Sequence, residues 1–290
     1  MYELKNDRIS LQISDHGAEI KSLKRLLDGR EYMWQADPKY WGRTSPVLFP
    51  LVGSYFNRES RFDGKVYSMG QHGFARDMDF ELVDGADDRI EFLLRSNEKT
   101  HEKYPFDFDL FCGYRISGSE VTVSWKVVNT GDRDMFFSIG AHPAFCCDLD
   151  SDLLLFEKNG KKPESITSNI IEQDGSGCLS DRQKTLTLSD GVLKMSDELF
   201  CEDALVIEDE QADSVSVLDK DGNAFIRVDF SSKLFGVWSP VNKHAPFVCI
   251  EPWYGRCDRV GFGGELGERE YGNTLTPSDA FEAEYKISII

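Results

Sequence analysis

Phe281-Glu-Ala-Glu-Tyr-Lys-Ile-Ser-Ile289 alternates apolar and polar residues with a period of two. That period turns every second side chain to the same face of an extended strand, so one face is buried and the other is wet. The same pattern recurs in Ile9-Ser-Leu-Gln-Ile13, Val121-Thr-Val-Ser-Trp-Lys-Val127, Val215-Ser-Val-Leu218 and Ala224-Phe-Ile-Arg-Val-Asp-Phe230. Half-buried strands of this kind suit antiparallel sheets. Between them lie hairpin signals: Asp28-Gly29, Asp63-Gly64, Asp84-Gly85, Ser117-Gly118, Thr130-Gly131, Asp190-Gly191 and Asp221-Gly222. No stretch has the spacing of a long amphipathic helix; Pro38 to Trp41 and Glu98 to Lys103 each predict one short helical turn. The expected fold is all-β, a large antiparallel β-sandwich, with residues 1–290 forming one domain and polar Lys158 to Asp181 as a surface excursion.

Composition narrows the function. The 290 residues carry a net charge of −18, which argues against nucleic acid and anionic membranes as partners. No apolar run approaches the roughly 20 residues of a membrane helix, and the first residues lack the apolar core of a secretory signal. Seven cysteines without a C-x-x-C pair predict reduced thiols and a cytoplasmic protein rather than a disulfide framework or a zinc site. There is no P-loop, no G-x-G-x-x-G after a strand and no G-x-S-x-G, so no nucleotide cofactor and no serine nucleophile are expected. His72, His142 and an acid could in principle bind a metal, but no His-x-His or His-x₃-His spacing supports it. The expectation is no cofactor and no metal.

One acid stands out. Ala245-Pro-Phe-Val-Cys-Ile-Glu-Pro-Trp-Tyr-Gly255 reads as a buried apolar strand that delivers Glu251 and stops on Pro252. A carboxylate there is costly unless it is paired or used. Trp253 and Tyr254 beside it suit the apolar face of a sugar ring. Two histidines sit in loop-like settings: His72 in Gly70-Gln-His-Gly-Phe-Ala-Arg-Asp77, and His142 in Ser138-Ile-Gly-Ala-His-Pro-Ala-Phe145, where Pro143 favours an extended backbone at His142. Each alone is more often structural than catalytic. His16, His101 and His244 read as turn or surface residues. Asp203 and Asp148 read first as turn acids, and Arg58 as a surface ion-pair partner.

Taken in order, Gln71-His-Gly-Phe-Ala-Arg-Asp77, Gly140-Ala-His-Pro-Ala-Phe145, Asp203-Ala-Leu-Val-Ile207 and Phe247-Val-Cys-Ile-Glu-Pro-Trp-Tyr254 resemble the aldose 1-epimerase (galactose mutarotase-like) family, in its LacX-like branch. The resemblance spans the first strand to the last. It implies a β-supersandwich with an open sugar cleft, no cofactor, and an isomerase that exchanges the α and β anomers of a hexose. By the same resemblance Glu251 is the base, His142 the general acid, and His72 a helper at the ring oxygen. Arg58 in Asn57-Arg58, and Asp203, would bind sugar hydroxyls, with Trp253 packing on the ring. The chain departs from the branch at Gly53-Ser54, where Gly-Arg is frequent. Three alternatives stay open. One is a hexose-6-phosphate mutarotase, for which Arg43, Arg58 and Arg76 could serve the phosphate. The others are a non-catalytic carbohydrate-binding or sensor protein, and a glycosidase using Glu251 with Asp203 or Asp148. The partner in each case is a small sugar, and the chain would act as a monomer or homodimer.

Overall fold

A computed structural model describes residues 1–290. The alternating segments are strands where expected: Ile9–Ile13, Glu120–Asn129, Ser214–Leu218, Ala224–Phe230 and Ala280–Ile289. The last of these is central. It pairs antiparallel with Glu120–Asn129 on one side and with Ala224–Phe230 on the other. Around it grows a nine-stranded antiparallel sheet, from Val192–Lys194 at one edge to Glu81–Gly85 at the other. Its inward residues, among them Val121, Val123, Trp125, Val127, Tyr285 and Ile287, are fully or almost fully buried.

A second, eight-stranded sheet supplies the facing layer. Leu179–Thr187, Ser165–Ile171, Leu205–Ile207, Leu234–Trp238 and Phe247–Tyr254 follow one another across it. Ala144–Cys146 and Ile139–Ala141 both flank the far side of Phe247–Tyr254, and Val47–Leu48 closes the edge. Ile166, Leu205, Ile207, Phe235, Val237, Val248 and Ile250 point into the same core as the first sheet, a continuous cluster of 61 buried residues that also takes in Leu4 and Ile289. A three-stranded sheet of Tyr2–Lys5, Ile9–Ile13 and Ile20–Arg25 packs on this core at the amino-terminal end.

Three local expectations change. The strand carrying Glu251 does not stop at Pro252; it runs on to Tyr254. Proline gives no N–H to a ladder, yet one flanking neighbour is already interrupted at His142-Pro143, so the irregularity is shared. Lys158 to Asp181 is not a surface excursion. Its middle, Ser165–Ile171, is a strand within the eight-stranded sheet, with Ser168 and Asn169 buried. Ser168 Oγ accepts from the Val206 N–H, which lets a polar side chain sit inside. Met135–Phe137 and Ile139–Ala141 are two short strands with Ser138 between them. Glu98–His101 is a helical turn as expected, capped by the Asn97 side chain, whereas Pro38 to Tyr40 is a simple turn.

Candidate active site

The outer face of the eight-stranded sheet holds the site. Along Phe247–Tyr254, alternation sends Val248 and Ile250 to the core and turns Phe247, Cys249, Glu251 and Trp253 outward. Across from Glu251 in the neighbouring strand is Gly236, flanked by Leu234 and Trp238. A Cβ at Gly236 would collide with the Trp253 ring, and one at Gly140, on the other side, would lie 2.7 Å from Trp253 Cδ1. Two glycines therefore make the bed on which the Trp253 indole lies flat beside the acid.

Over this floor opens a cavity of about 360 Å³. Glu251, His142, His72, Asp203 and Trp253 all line it, brought together from four distant parts of the chain. Glu251 is 1% exposed and His142 is 6% exposed. His142 Nε2 lies 3.4 Å from Glu251 Oε2, and neither carboxylate oxygen has an aligned hydrogen-bond donor from the protein. Burial pushes the Glu251 carboxyl well above its usual range, and the nearby Asp203 pushes it further. Burial likewise lowers His142 to about 3, with Arg76 and Arg43 adding to the effect. Both groups are thus driven to their neutral forms. In that neutral form the pair holds one proton, on the carboxyl and available to the imidazole.

His72 is fixed by a reciprocal contact with one glycine. Its N–H donates to Gly53 O at 2.7 Å, and its Nδ1 accepts from the Gly53 N–H at 3.1 Å. An Nδ1 that accepts leaves the ring proton on Nε2, so neutral His72 is a donor at that atom. Burial and the adjacent His142 keep its pKa well below the ordinary histidine value. The two rings meet edge to face, 5.5 Å apart. Gly53 itself cannot carry a side chain: its φ is +72° and a Cβ would lie 2.5 Å from Cys257 Cβ.

Asp203 has a φ of +73°, and its Oδ1 accepts from the Ala204 N–H at 2.8 Å. The carboxylate is raised by burial and held down in part by that bond and by Trp238. Asn57 and Arg58 are placed differently from what the resemblance implied. Both are exposed and neither lines the cavity; Arg58 turns aside to donate to Ser54 Oγ at 2.8 Å. Both residues have positive φ, 56° and 61°, and the Arg58 charge still reaches His72, whose pKa it helps to lower. The guanidinium groups that do line the cavity are Arg43 and Arg76. Arg43 pairs with Asp77 at 2.7 Å; Arg76 donates to Gln71 O, and its Nε lies 3.9 Å from Asp77 Oδ2 without a hydrogen bond.

Reading the residues in order left out the aromatic walls. Trp41 stacks on the His142 imidazole, with centroids 4.7 Å apart and planes at 27°. Trp238 meets the same ring edge-on at 5.3 Å. The available signal was weak: Trp238 ends a wholly apolar Leu-Phe-Gly-Val-Trp strand, and Trp41 lies in a turn with no motif. Ile171 and Gly177, from the segment read as surface, close the cavity's far rim.

Behind the floor, buried charges anchor the chain leaving Glu251. Arg256 donates to Glu208 and Glu270. Arg269 donates to Asp258 Oδ1 at 2.7 Å, and Asp258 Oδ2 accepts from the Phe56 N–H at 2.9 Å. These contacts tie residues 256–270 to the strand end and to the loop that bears Gly53.

A family model described as aldose 1-epimerase matches residues 1–265. The chain belongs to the aldose 1-epimerase family. It is 29% identical to the plasmid-borne protein LacX of Lactococcus lactis subsp. lactis, over 99% of each chain. Among solved structures it resembles a galactose mutarotase related enzyme from Lactobacillus acidophilus, with a TM-score of 0.91 and 34% identity over 100% of this chain and 97% of that one. A galactose mutarotase-like protein from Lactobacillus casei also has a TM-score of 0.91, at 26% identity over the full length of both. The expected LacX-like branch and mutarotase-like β-sandwich are therefore both present. Within that fold, the four motif segments quoted from the sequence are those that deliver His72, His142, Asp203 and Glu251 to one cavity.

Proposed function

We propose that this protein interconverts the α and β anomers of an aldohexose by opening and closing the ring through proton transfer. The observation that carries the reading is the contact of a buried acid and a buried imidazole, 3.4 Å apart, on the floor of a sugar-sized cleft. O1 and ring O5 of an aldose are both bonded to C1. The groups that serve them must converge on one carbon rather than face each other across the ring, and Glu251 and His142 do converge.

The chemistry then follows with the proton count conserved. In the reactive form Glu251 is ionised and His142 carries the shared proton. Glu251 takes the proton from O1–H as His142 gives its proton to O5. The C1–O5 bond breaks, leaving an aldehyde at C1 and a hydroxyl at O5. The pair is now a neutral carboxyl and a neutral imidazole, the form that burial favours, so the dry floor assists ring opening. Rotation about C1–C2 and the reverse transfers close the ring on its other face. His72 donates from Nε2 to the oxygen at which negative charge grows. Asp203 accepts from peripheral hydroxyls, and Trp253 packs on the ring. The chain does this as one domain over residues 1–290, in the cytoplasm, as a monomer or homodimer.

Arg43 and Arg76 favour a second reading in which the hexose carries a phosphate. Two guanidinium groups side by side repel each other, and burial with Arg43 lowers Arg76 to about 10. An anionic substituent on the sugar would relieve that repulsion and give Arg76 Nε the hydrogen-bond acceptor it lacks. The test is a panel of freshly dissolved α-hexoses, free and 6-phosphorylated, followed by polarimetry or NMR exchange. Accelerated anomer exchange supports the mutarotase. A preference for the phosphorylated sugars that disappears in Arg76→Gln supports the second reading. Saturable binding without accelerated exchange, or release of sugar from an aryl glycoside, would overturn both.

A further inference from the structure

Cys249 lies two residues before Glu251 on the same strand, which puts both side chains on the outward face. It is fully buried, one layer beneath the cleft lining, and the reaction above has no use for it. One ligand-capable atom each from His142, Cys249 and Glu251 falls within 4.8 Å of the other two. The His142–Glu251 edge of this triangle is 3.4 Å. A tetrahedral Zn²⁺ with its usual bond lengths has ligand–ligand edges of roughly 3.3–3.8 Å. One edge is therefore already at its metal-bound length, and the others need to close by about 1.5 Å or less.

A second observation points to a ligand at the same place. Both Glu251 oxygens are buried with no hydrogen-bond partner from the protein. Unpartnered acceptors in a buried pocket attract a cation as well as they attract a hydroxyl. The ligand set is mixed: one thiol, one imidazole, one carboxylate. That mixture suits a borderline ion such as Zn²⁺ or Co²⁺ rather than Mg²⁺ or Ca²⁺, which take oxygen. His72 is excluded as a fourth ligand. Its Nδ1 already accepts from Gly53 N–H, so Nε2 carries a proton and has no lone pair to give. His142 and Glu251 line the cavity, so water or a sugar hydroxyl from it could complete the coordination.

We propose that His142, Cys249 and Glu251 form a site for Zn²⁺ at which the ion inhibits the protein by occupying its acid and base together. Binding displaces the Cys249 thiol proton and the Glu251 carboxyl proton to solvent. The binding claim stands apart from the sugar reaction; the inhibition claim rests on that reaction.

The experiment uses the full-length, metal-free chain. Co²⁺ is added and the thiolate-to-cobalt charge-transfer band is followed in the near ultraviolet, and Zn²⁺ binding is measured by calorimetry. Wild type should show the band with one ion bound per chain, and Zn²⁺ should displace it. Cys249→Ala and the near-isosteric Cys249→Ser should lose the band and bind Zn²⁺ at least about tenfold to a hundredfold more weakly, since even partners behind a ligand are worth that much. Glu251→Gln should weaken binding while keeping the band. If the protein is a mutarotase, Zn²⁺ should inhibit it, a chelator should restore it, and both Cys249 variants should keep basal activity and lose the sensitivity. Absence of the band in wild type, or equal Zn²⁺ affinity in wild type and both cysteine variants, overturns the site. A band with no mutarotase activity leaves the site standing and removes the sugar reading instead.

Discussion

Replacing Glu251 by glutamine separates chemistry from stability. The substitution keeps the volume of the side chain and removes only its ability to take a proton. One positioned base accounts for about 10²–10⁴ in rate, or roughly 2.7–5.4 kcal/mol of barrier. Stability should behave otherwise. Neither Glu251 oxygen has an aligned hydrogen bond to lose, so below about pH 4.5, where the carboxyl is neutral folded and unfolded, unfolding free energy should move by no more than about 1 kcal/mol. The pH dependence supplies a sharper signature. Glu251 titrates from 4.5 in the unfolded chain and well above that in the folded one. Between those values the native state holds a proton that the unfolded state has released, so wild-type stability falls as pH rises. The glutamine variant has no such proton. Relative to it, wild type should lose about 1.4 kcal/mol per pH unit until the folded carboxyl ionises. Depression of His142 from 6.5 to about 3 acts with opposite sign, adding stability as pH rises through that window. It acts in both proteins and cancels in the comparison. Polarimetry of an α-hexose and urea unfolding across a series of pH values measure both effects. Activity within tenfold of wild type would refute the base assignment. Parallel stability curves for the two proteins would refute the buried neutral carboxyl, even if activity were lost.

Three further outcomes follow from the geometry. Gly53→Ala forces a Cβ against Cys257 at a left-handed backbone and should destabilise the fold by about 1–3 kcal/mol; it should also lower activity by loosening His72, read by thermal unfolding and polarimetry together. Trp41→Ala removes the ring stacked on His142 and should lower kcat about tenfold with little change in thermal stability, since Trp41 is only half buried; a change confined to KM would assign Trp41 to sugar binding instead. Arg58→Ala should leave kcat and KM within about twofold of wild type because the side chain turns to Ser54, whereas a large rise in KM would return Arg58 to the sugar.

The fold was legible because antiparallel strands with one wet face write their burial into alternate residues, as Ala224–Phe230 and Ala280–Ile289 do. Ser165–Ile171 was hidden by the same rule: buried Ser168 and Asn169 look like surface, and only their hydrogen bonds make them interior. The floor of the site was legible in Glu251, a lone acid in a buried run. Its proton balance was not. Whether Glu251 is neutral depends on burial and on Asp203, which is distant in sequence. The walls were hidden for a similar reason. Trp41 reaches His142 across a hundred residues of chain, and no local pattern records that contact. The arginines show the limit most clearly. Arg58 sits in a promising pair yet donates to Ser54 Oγ and stays out of the cavity lining, a contact that no local pattern records.

The strand from Phe247 to Tyr254 also limits how this chain can evolve. Its outward face carries Cys249, Glu251 and Trp253, and its inward face Val248 and Ile250. Adding or deleting one residue within it would exchange the two faces, burying the acid in the main core and presenting isoleucine to the cleft. On the neighbouring strand, Gly236 must stay opposite Glu251. Insertions and deletions tolerated during divergence should therefore fall outside residues 234–238 and 247–254, in turns such as Asn242 to His244, where side chains are exposed. A library of single-residue deletions scored for folded protein would show that boundary directly.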